Sequence, residues 1–269
     1  MTFLIHSMSE FSSLILPILG EVGPKHIVEI GSEHGGMTTV LNAWASENQA
    51  HLTSVDPQPS PLFVEWAKTA PNFSHMPEPS LEAIAKLSDV DCWFIDGDHN
   101  WYTVFNELHL IKQSCEKSGK PMLVFLHDVG WPCERRDMYY APDRIPPAFR
   151  HPYSYTLGAS LMHGTIENGG FRGMGSYAIA INEGGPKNGV LTAIEDFAQP
   201  YEDEVYFAFV PAVFGLGVLF SSNEVWSDDV NRFLLPYHNN SLLAKLEENR
   251  LQNYLRVIEM QDAFASLKK

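Results

Sequence analysis

Short apolar runs that end in polar or glycine-rich corners recur through the first 130 residues, with helical spacings between them. The runs are His26-Ile27-Val28-Glu29-Ile30, His51-Leu52-Thr53-Ser54-Val55, a shorter one near Phe73–Met76, 92–96 and 122–127. Their length and their branched and aromatic residues predict five buried strands. Between them Met37, Val40, Leu41 and Trp44 share a helical face, a helix is expected from about Leu62 to Lys68, and Leu81, Ile84 and Leu87 follow a cap at Ser80. Trp101, Val104, Phe105, Leu108 and Ile111 mark a further helix. Strand and helix in alternation predict a parallel sheet with right-handed crossovers. Residues 1–20 read as a lead-in helix packing Phe11, Leu14, Ile15 and Ile18.

The pattern breaks after residue 129. From Gly130 to Gly189 the chain is rich in Pro, Gly, Arg and aromatic residues with little periodicity, which predicts a structureless lid or interface arm. Regularity returns in a helix over 190–197, in the runs 206–211 and 217–220 that bracket Phe214-Gly215-Leu216 as an antiparallel hairpin, and in an amphipathic helix over 241–260. The expectation is one domain over 1–269: lead-in helix 1–20, core 21–129, lid 130–189, closing helix and hairpin 190–222, and C-terminal helical segment 223–269.

Composition narrows the partners. A chain that is 45% hydrophobic and 19% charged has enough apolar residues for a sizeable core. A formal net charge of -15 argues against a nucleic-acid backbone or an anionic membrane as partner, since like charges repel. The apolar run Leu14–Leu19 lacks the basic flank and cleavage site of a signal peptide, and no run reaches the ~18 apolar residues that span a bilayer. Cys92, Cys115 and Cys133 form neither a zinc spacing nor a disulfide framework, which fits a reducing cytoplasm. The expected ligand is a small molecule, and the aromatic insertion and terminal helix are the surfaces on which a homodimer would form. His151, His163 and His238 are isolated and read as structural or surface residues.

The chemistry gathers at the strand ends. Glu29-Ile30-Gly31-Ser32-Glu33-His34-Gly35-Gly36 joins the first strand to the first helix, where glycines admit a ligand close to the backbone and free N–H groups face it. Asp56 ends the second strand, where a carboxylate can hold ribose hydroxyls. The spacing Gly31-x-x-x-Gly35-Gly36 departs from the dinucleotide fingerprint, which disfavours an NAD-linked dehydrogenase. An acid at Glu29 suits a cofactor with an ammonium group, and S-adenosylmethionine (SAM) carries an ammonium, a ribose and no phosphate. Asp96, Asp98 and Asp128 offer hard oxygen ligands for Mg²⁺. Asp98 also suits a helix N-terminal carboxylate.

Val28-Glu29-Ile30-Gly31, Val55-Asp56-Pro57, Phe94-Ile95-Asp96-Gly97-Asp98-His99 and Leu126-His127-Asp128-Val129 resemble a class I SAM-dependent methyltransferase, in its small-molecule O-methyltransferase branch with catechol-type and cephalosporin-hydroxylase-like relatives. The resemblance covers roughly residues 20–130. It implies a Rossmann-like seven-stranded sheet, mostly parallel, closed by the C-terminal antiparallel hairpin, with the insertion after strand five. It implies that Glu29, Gly31, Ser32 and Gly35 hold the methionine part of SAM, that Asp56 holds the ribose, that Pro79-Ser80-Leu81 lies against the adenine, and that Asp96 is a further cofactor-binding residue. Relatives place metal ligands where this chain has Asp96 and the pair His127-Asp128, although an oxygen ligand is usual at the position of His127. His99 stands where catechol-type enzymes carry a lysine base; it suits proton abstraction, and equally helix capping or a bond to Asp128.

Arg135, Arg136, Tyr139 and Tyr140 follow the acidic corner and would form a pocket for a polar or anionic acceptor or a stacking surface for a sugar, or the arginines pair with Glu134 and Asp137. The resulting expectation is metal-assisted O-methylation of a small polar or sugar-bearing metabolite, with Asp96 and Asp128 gripping the metal and His99 taking the proton. The rivals are metal-free N-methylation or SAM cyclisation on the same fold, and a non-catalytic binding protein.

Overall fold

The computed structural model describes residues 4–162 and 164–267; His163, read above as an isolated histidine, lies outside the described residues. Seven strands form the central sheet: β1 (His26–Ile30), β2 (His51–Val55), β3 (Phe73–Met76), β4 (Cys92–Ile95), β5 (Leu123–Leu126), β6 (Val205–Val210) and β7 (Leu216–Ser221). Their order is β3-β2-β1-β4-β5-β7-β6, with β1 to β5 parallel and β7 antiparallel to both neighbours. The hairpin therefore inserts its second strand against β5. Chain order reverses beside β1, so the tips of β1 and β4 open a crevice of the kind in which open α/β sheets bind ligands.

Side-chain alternation along each strand feeds two separate cores. Val28, Ile30, Trp93, Ile95, Val124 and Leu126 face α4 (Ser80–Ile84), α5 (Trp101–Ser118) and α6 (Val190–Ala198). Ile27, Cys92, Phe94, Leu123 and Phe125 face α1 (Ser12–Val22), α2 (Gly36–Glu47) and α7 (Ser227–Leu234). Phe94 and Phe125 stack at 4.8 Å between ring centres, tying β4 to β5 just below the acidic corner. Among the described residues no helix is long and apolar enough to cross a membrane.

Local differences from the sequence expectations have physical reasons. The lead-in helix opens with a 3-10 turn over Met8–Phe11 and α1 then runs to Val22, carrying Pro17 inside it. Ser80 is not a cap. The N-cap of α4 is Pro79, which has no side-chain acceptor, and Leu87 lies beyond the end of this short helix. At α5 the cap is Asn100, whose side chain accepts from Thr103 N at 2.9 Å.

The insertion is not structureless. Met138–Tyr139, Ala178–Ala180 and Tyr153–Ser154 form a three-stranded antiparallel sheet, and Leu157–Ala159 pairs with Thr165–Glu167. Periodicity fails here because the strands are only two or three residues long and buried polar side chains stand among the apolar ones. Asp137 is fully buried: Oδ1 accepts from Trp101 N and Gly189 N, both at 2.7 Å, and Oδ2 accepts from the Tyr139 hydroxyl at 2.7 Å. One carboxylate thus fastens the insertion to the start of α5 and to the start of α6.

A buried donor left without an acceptor costs about 1–3 kcal/mol. Asp137→Ala strands three such donors and is expected to destabilise the protein by about 3–5 kcal/mol in urea unfolding. Asp137→Asn, which keeps one acceptor oxygen, is expected to cost less. Equal stability of Asp137→Ala and wild type would contradict this account.

Candidate active site at the strand tips

The glycine corner is shaped first by the sheet itself. Gly31 has φ +85, and a Cβ there would stand 2.1 Å from the Asp96 carbonyl oxygen. Glycine at 31 is thus demanded by the close approach of β4. Gly35 has φ +81 and is the N-cap of α2, with no side-chain cap bond. Asp56 Oδ2 accepts from Ser32 N at 3.0 Å, Glu33 N at 2.8 Å and the Ser32 hydroxyl at 3.3 Å, while Oδ1 accepts from Gln58 N at 2.8 Å. The carboxylate read as a ribose ligand is largely occupied in holding the glycine loop.

Glu29 is 2% exposed and its Oε2 has no hydrogen-bond partner. Burial, tempered by the Thr38 hydroxyl and reinforced by the Asp96 and Asp56 charges, pushes its carboxyl up to about 8. A buried carboxyl with an open oxygen among like charges is the complement of a cation. Ser80 lies toward a second such acid, Glu107, which burial pushes up to about 8 although the Ser80 hydroxyl moderates it.

The acidic corner joins the tips of β4 and β5. His99 Nε2 stands 3.2 Å from Asp128 Oδ2. Of the roles open to His99 in the sequence, pairing with Asp128 is the one present here. Asp128 has φ 55, a left-handed conformation that a short polar side chain tolerates. Asp98 accepts from Asn100 and Thr103 side chains through Oδ2 and from Tyr140 N through Oδ1, so it braces the start of α5 and the insertion.

His127, one of the three residues in the expected ligand set, faces two partners. Its Nε2 donates to the Val213 carbonyl at 2.9 Å and its Nδ1 lies 3.3 Å from Asp96 Oδ1. Burial opposes charge on this ring, but Asp96, Asp128 and the Val213 carbonyl outweigh it and raise the imidazole to about 9. With Nε2 on that carbonyl, Nδ1 beside Asp96 is the nitrogen of this ring that faces the corner. The atoms that do converge are from Asp96, His99 and Asp128, all within 4.8 Å of one another.

Three of the four expected acceptor residues are also engaged elsewhere. Arg136 is 2% exposed and donates to the Ala180 and Ile181 carbonyls and to Glu183. Arg135 makes a paired contact with Glu195 on α6. Tyr139 is fully buried on Asp137. Neither arginine takes Asp137 as its partner. Only Tyr140 faces the corner, 50% exposed, with its ring 6.2 Å from that of His99. Sequence reasoning missed Phe171 and Tyr177, whose rings continue outward from Tyr140, and the loop Val213-Phe214-Gly215, which holds His127. No periodicity marks either group.

Residues 28–129 match the family of methyltransferase domains. The matched stretch spans β1 to β5 and both strand-tip corners, and the sheet to which it belongs is Rossmann-like, mostly parallel and closed by an antiparallel hairpin. Solved structures similar to it include an S-adenosylhomocysteine (SAH)-bound methyltransferase from Podospora anserina, at 14% identity over 81% of this chain and 80% of that one, TM-score 0.46. A Staphylococcus aureus protein assigned as a caffeoyl-CoA O-methyltransferase has 12% identity over 78% and 82%, TM-score 0.44. One from Klebsiella pneumoniae assigned as an O-methyltransferase has 12% identity over 82% and 83%, TM-score 0.43. Identities and scores of this size carry nothing about an acceptor. No curated protein sequence matches the chain.

Glu29 generates a pH test. Its folded pKa, about 8, lies above the ordinary value of 4.5 for the free side chain. Between those limits the unfolded chain is ionised and the folded one protonated, so unfolding releases a proton and stability falls as pH rises. Glu29→Gln is expected to flatten the loss of stability of the cofactor-free protein between about pH 5 and 8. Urea midpoints across that range measure it; an unchanged slope would refute the assignment.

Proposed function

We propose that the protein is a SAM-dependent methyltransferase acting on a hydroxyl of a small molecule, with His99 backed by Asp128 as the base. The observation that carries this reading is the His99–Asp128 pair at the tips of β4 and β5, across the crevice from the open, buried Glu29. The residues fit the cofactor. Glu29 answers its ammonium, the uncapped start of α2 offers N–H groups to its carboxylate, and Asp56 Oδ1 keeps acceptor capacity for a ribose hydroxyl. When bound, SAM supplies an electrophilic methyl group on a sulfonium.

The protein's own part is alignment and proton removal. His99 would take the proton of the acceptor hydroxyl as that oxygen becomes the nucleophile toward the methyl group that the bound cofactor would supply. Asp128 stabilises the resulting imidazolium, and His127, already charged beside Asp96, keeps the two carboxylates from repelling each other.

The convergence of Asp96, His99 and Asp128 supports a second reading in which the three hold a divalent metal that acidifies the hydroxyl. Two carboxylates and an imidazole suit Mn²⁺ or Fe²⁺ better than the Mg²⁺ expected from the sequence. The two readings compete for His99, which cannot be ligand and base together.

Two measurements separate them. SAH at about 100 times its dissociation constant is expected to stabilise the protein by about 2.7 kcal/mol; no stabilisation would sink both readings. In a screen of hydroxylated small molecules that reads SAH release, His99→Ala is expected to lower turnover by about 10²–10⁴-fold while SAH affinity holds. Turnover that survives EDTA belongs to the base; turnover that EDTA abolishes and Mn²⁺ restores belongs to the metal.

A further inference from the structure

The wall of the crevice beyond His99 is aromatic and has carboxylates beside it. From the His99 ring the sequence of contacts runs to Tyr140 at 6.2 Å, from Tyr140 to Tyr177 at 5.7 Å, and from Tyr177 to Phe171 at 6.2 Å. Tyr140 and Tyr177 meet at 69°, edge to face, so their π-faces point in different directions and bound a corner. Burial first, then the carboxylates of Asp128, Glu33 and Asp96, drives the Tyr140 phenol far above its usual value. Asp128 acts in the same direction on Tyr177.

Four arginines of the insertion and the C-terminal helix are committed to carboxylates. Arg135 is bound to Glu195, Arg136 to Glu183, Arg172 to Asp262 and Arg250 to Glu247, the last by two hydrogen bonds at 2.6 and 2.7 Å. An acceptor bearing a carboxylate or phosphate would meet phenol faces and aspartates, and would have to break one of these pairs to find a guanidinium. Aromatic faces beside carboxylates attract the opposite charge, because cation–π contact adds to Coulomb attraction. The pocket expected from Arg135 and Arg136 for an anionic acceptor is thereby inverted.

We propose that the acceptor is a small molecule carrying a protonated amine, held against the Tyr140 and Tyr177 rings beside Asp128. This deepens the methyltransferase reading and rests on it.

Three phenols with the same ring and hydroxyl test it: tyramine, 4-ethylphenol and 3-(4-hydroxyphenyl)propionate, which differ in side-chain charge. Each is titrated calorimetrically into the full-length protein saturated with SAH. Tyramine is expected to bind about tenfold more tightly than the propionate and severalfold more tightly than 4-ethylphenol. Tyr177→Leu is expected to erase most of that preference and Tyr177→Phe to keep it, because the ring and not the hydroxyl carries the attraction. Should Tyr177→Leu fail to fold, Tyr140→Leu, at a half-exposed position, replaces it. SAH binding without a preference for tyramine, binding of none of the three, or a preference that survives the leucine variant overturns the inference alone. Failure to bind SAH overturns the methyltransferase reading and this inference with it.

Discussion

A buried imidazolium is the constraint on which the strand tips depend. Asp96 and Asp128 end neighbouring parallel strands, and two carboxylates this close would drive one another toward protonation. His127 stands 3.3 Å from Asp96 and 3.7 Å from Asp128, and the pairing holds Asp96 below the usual carboxylate range against its burial. The ring is aimed by the Val213 carbonyl, in a loop where Val213, Phe214 and Gly215 all have positive φ. Such backbone persists only when it is over-determined. Here Glu247 on α8 (Ser241–Ser266) does so by accepting from Val213 N and Phe214 N at 3.0 and 2.9 Å. The C-terminal helix thereby holds the loop whose carbonyl aims His127, a residue more than a hundred positions earlier.

Two kinds of buried acid coexist in the sheet region. Asp96 has a cation and is held ionised; Glu29 and Glu107 have none and are held neutral, each raised to about 8. The difference is partnership, not depth. It separates a corner that works as it stands from positions whose charge changes when a cation arrives, since supplying one to Glu29 reverses the sign of its shift.

The insertion illustrates how buried polar side chains supplement a hydrophobic core. Asp137, Asn188 and Arg136 satisfy backbone groups of three separate segments, and the rings of Tyr139 and Tyr153 pack against one another at 5.8 Å. Each such contact is directional, so the segment holds one arrangement in spite of its irregular chain path. The arginines spent in this scaffold are also what leaves the crevice wall aromatic and acidic.

Hydrophobic period alone determined much of this protein. Strands at 26–30, 51–55, 92–95 and 123–126, the faces of α2 and α5 and the closing hairpin were legible because burial on a sheet or helix imposes periods of two and 3.6. So was the location of the chemistry, since acids and glycines at strand ends have nowhere else to point in a parallel sheet. Tertiary structure alone decided partnership. Nothing local to His127 distinguishes a ligand from a cation, because Val213 and Glu247 lie 86 and 120 positions away. Nothing local to Arg136 says that it will be buried against Ala180, or to Tyr140 that it will meet Tyr177. Periodicity reports which side of an element is dry; which polar atom meets which is settled only when distant segments close on one another.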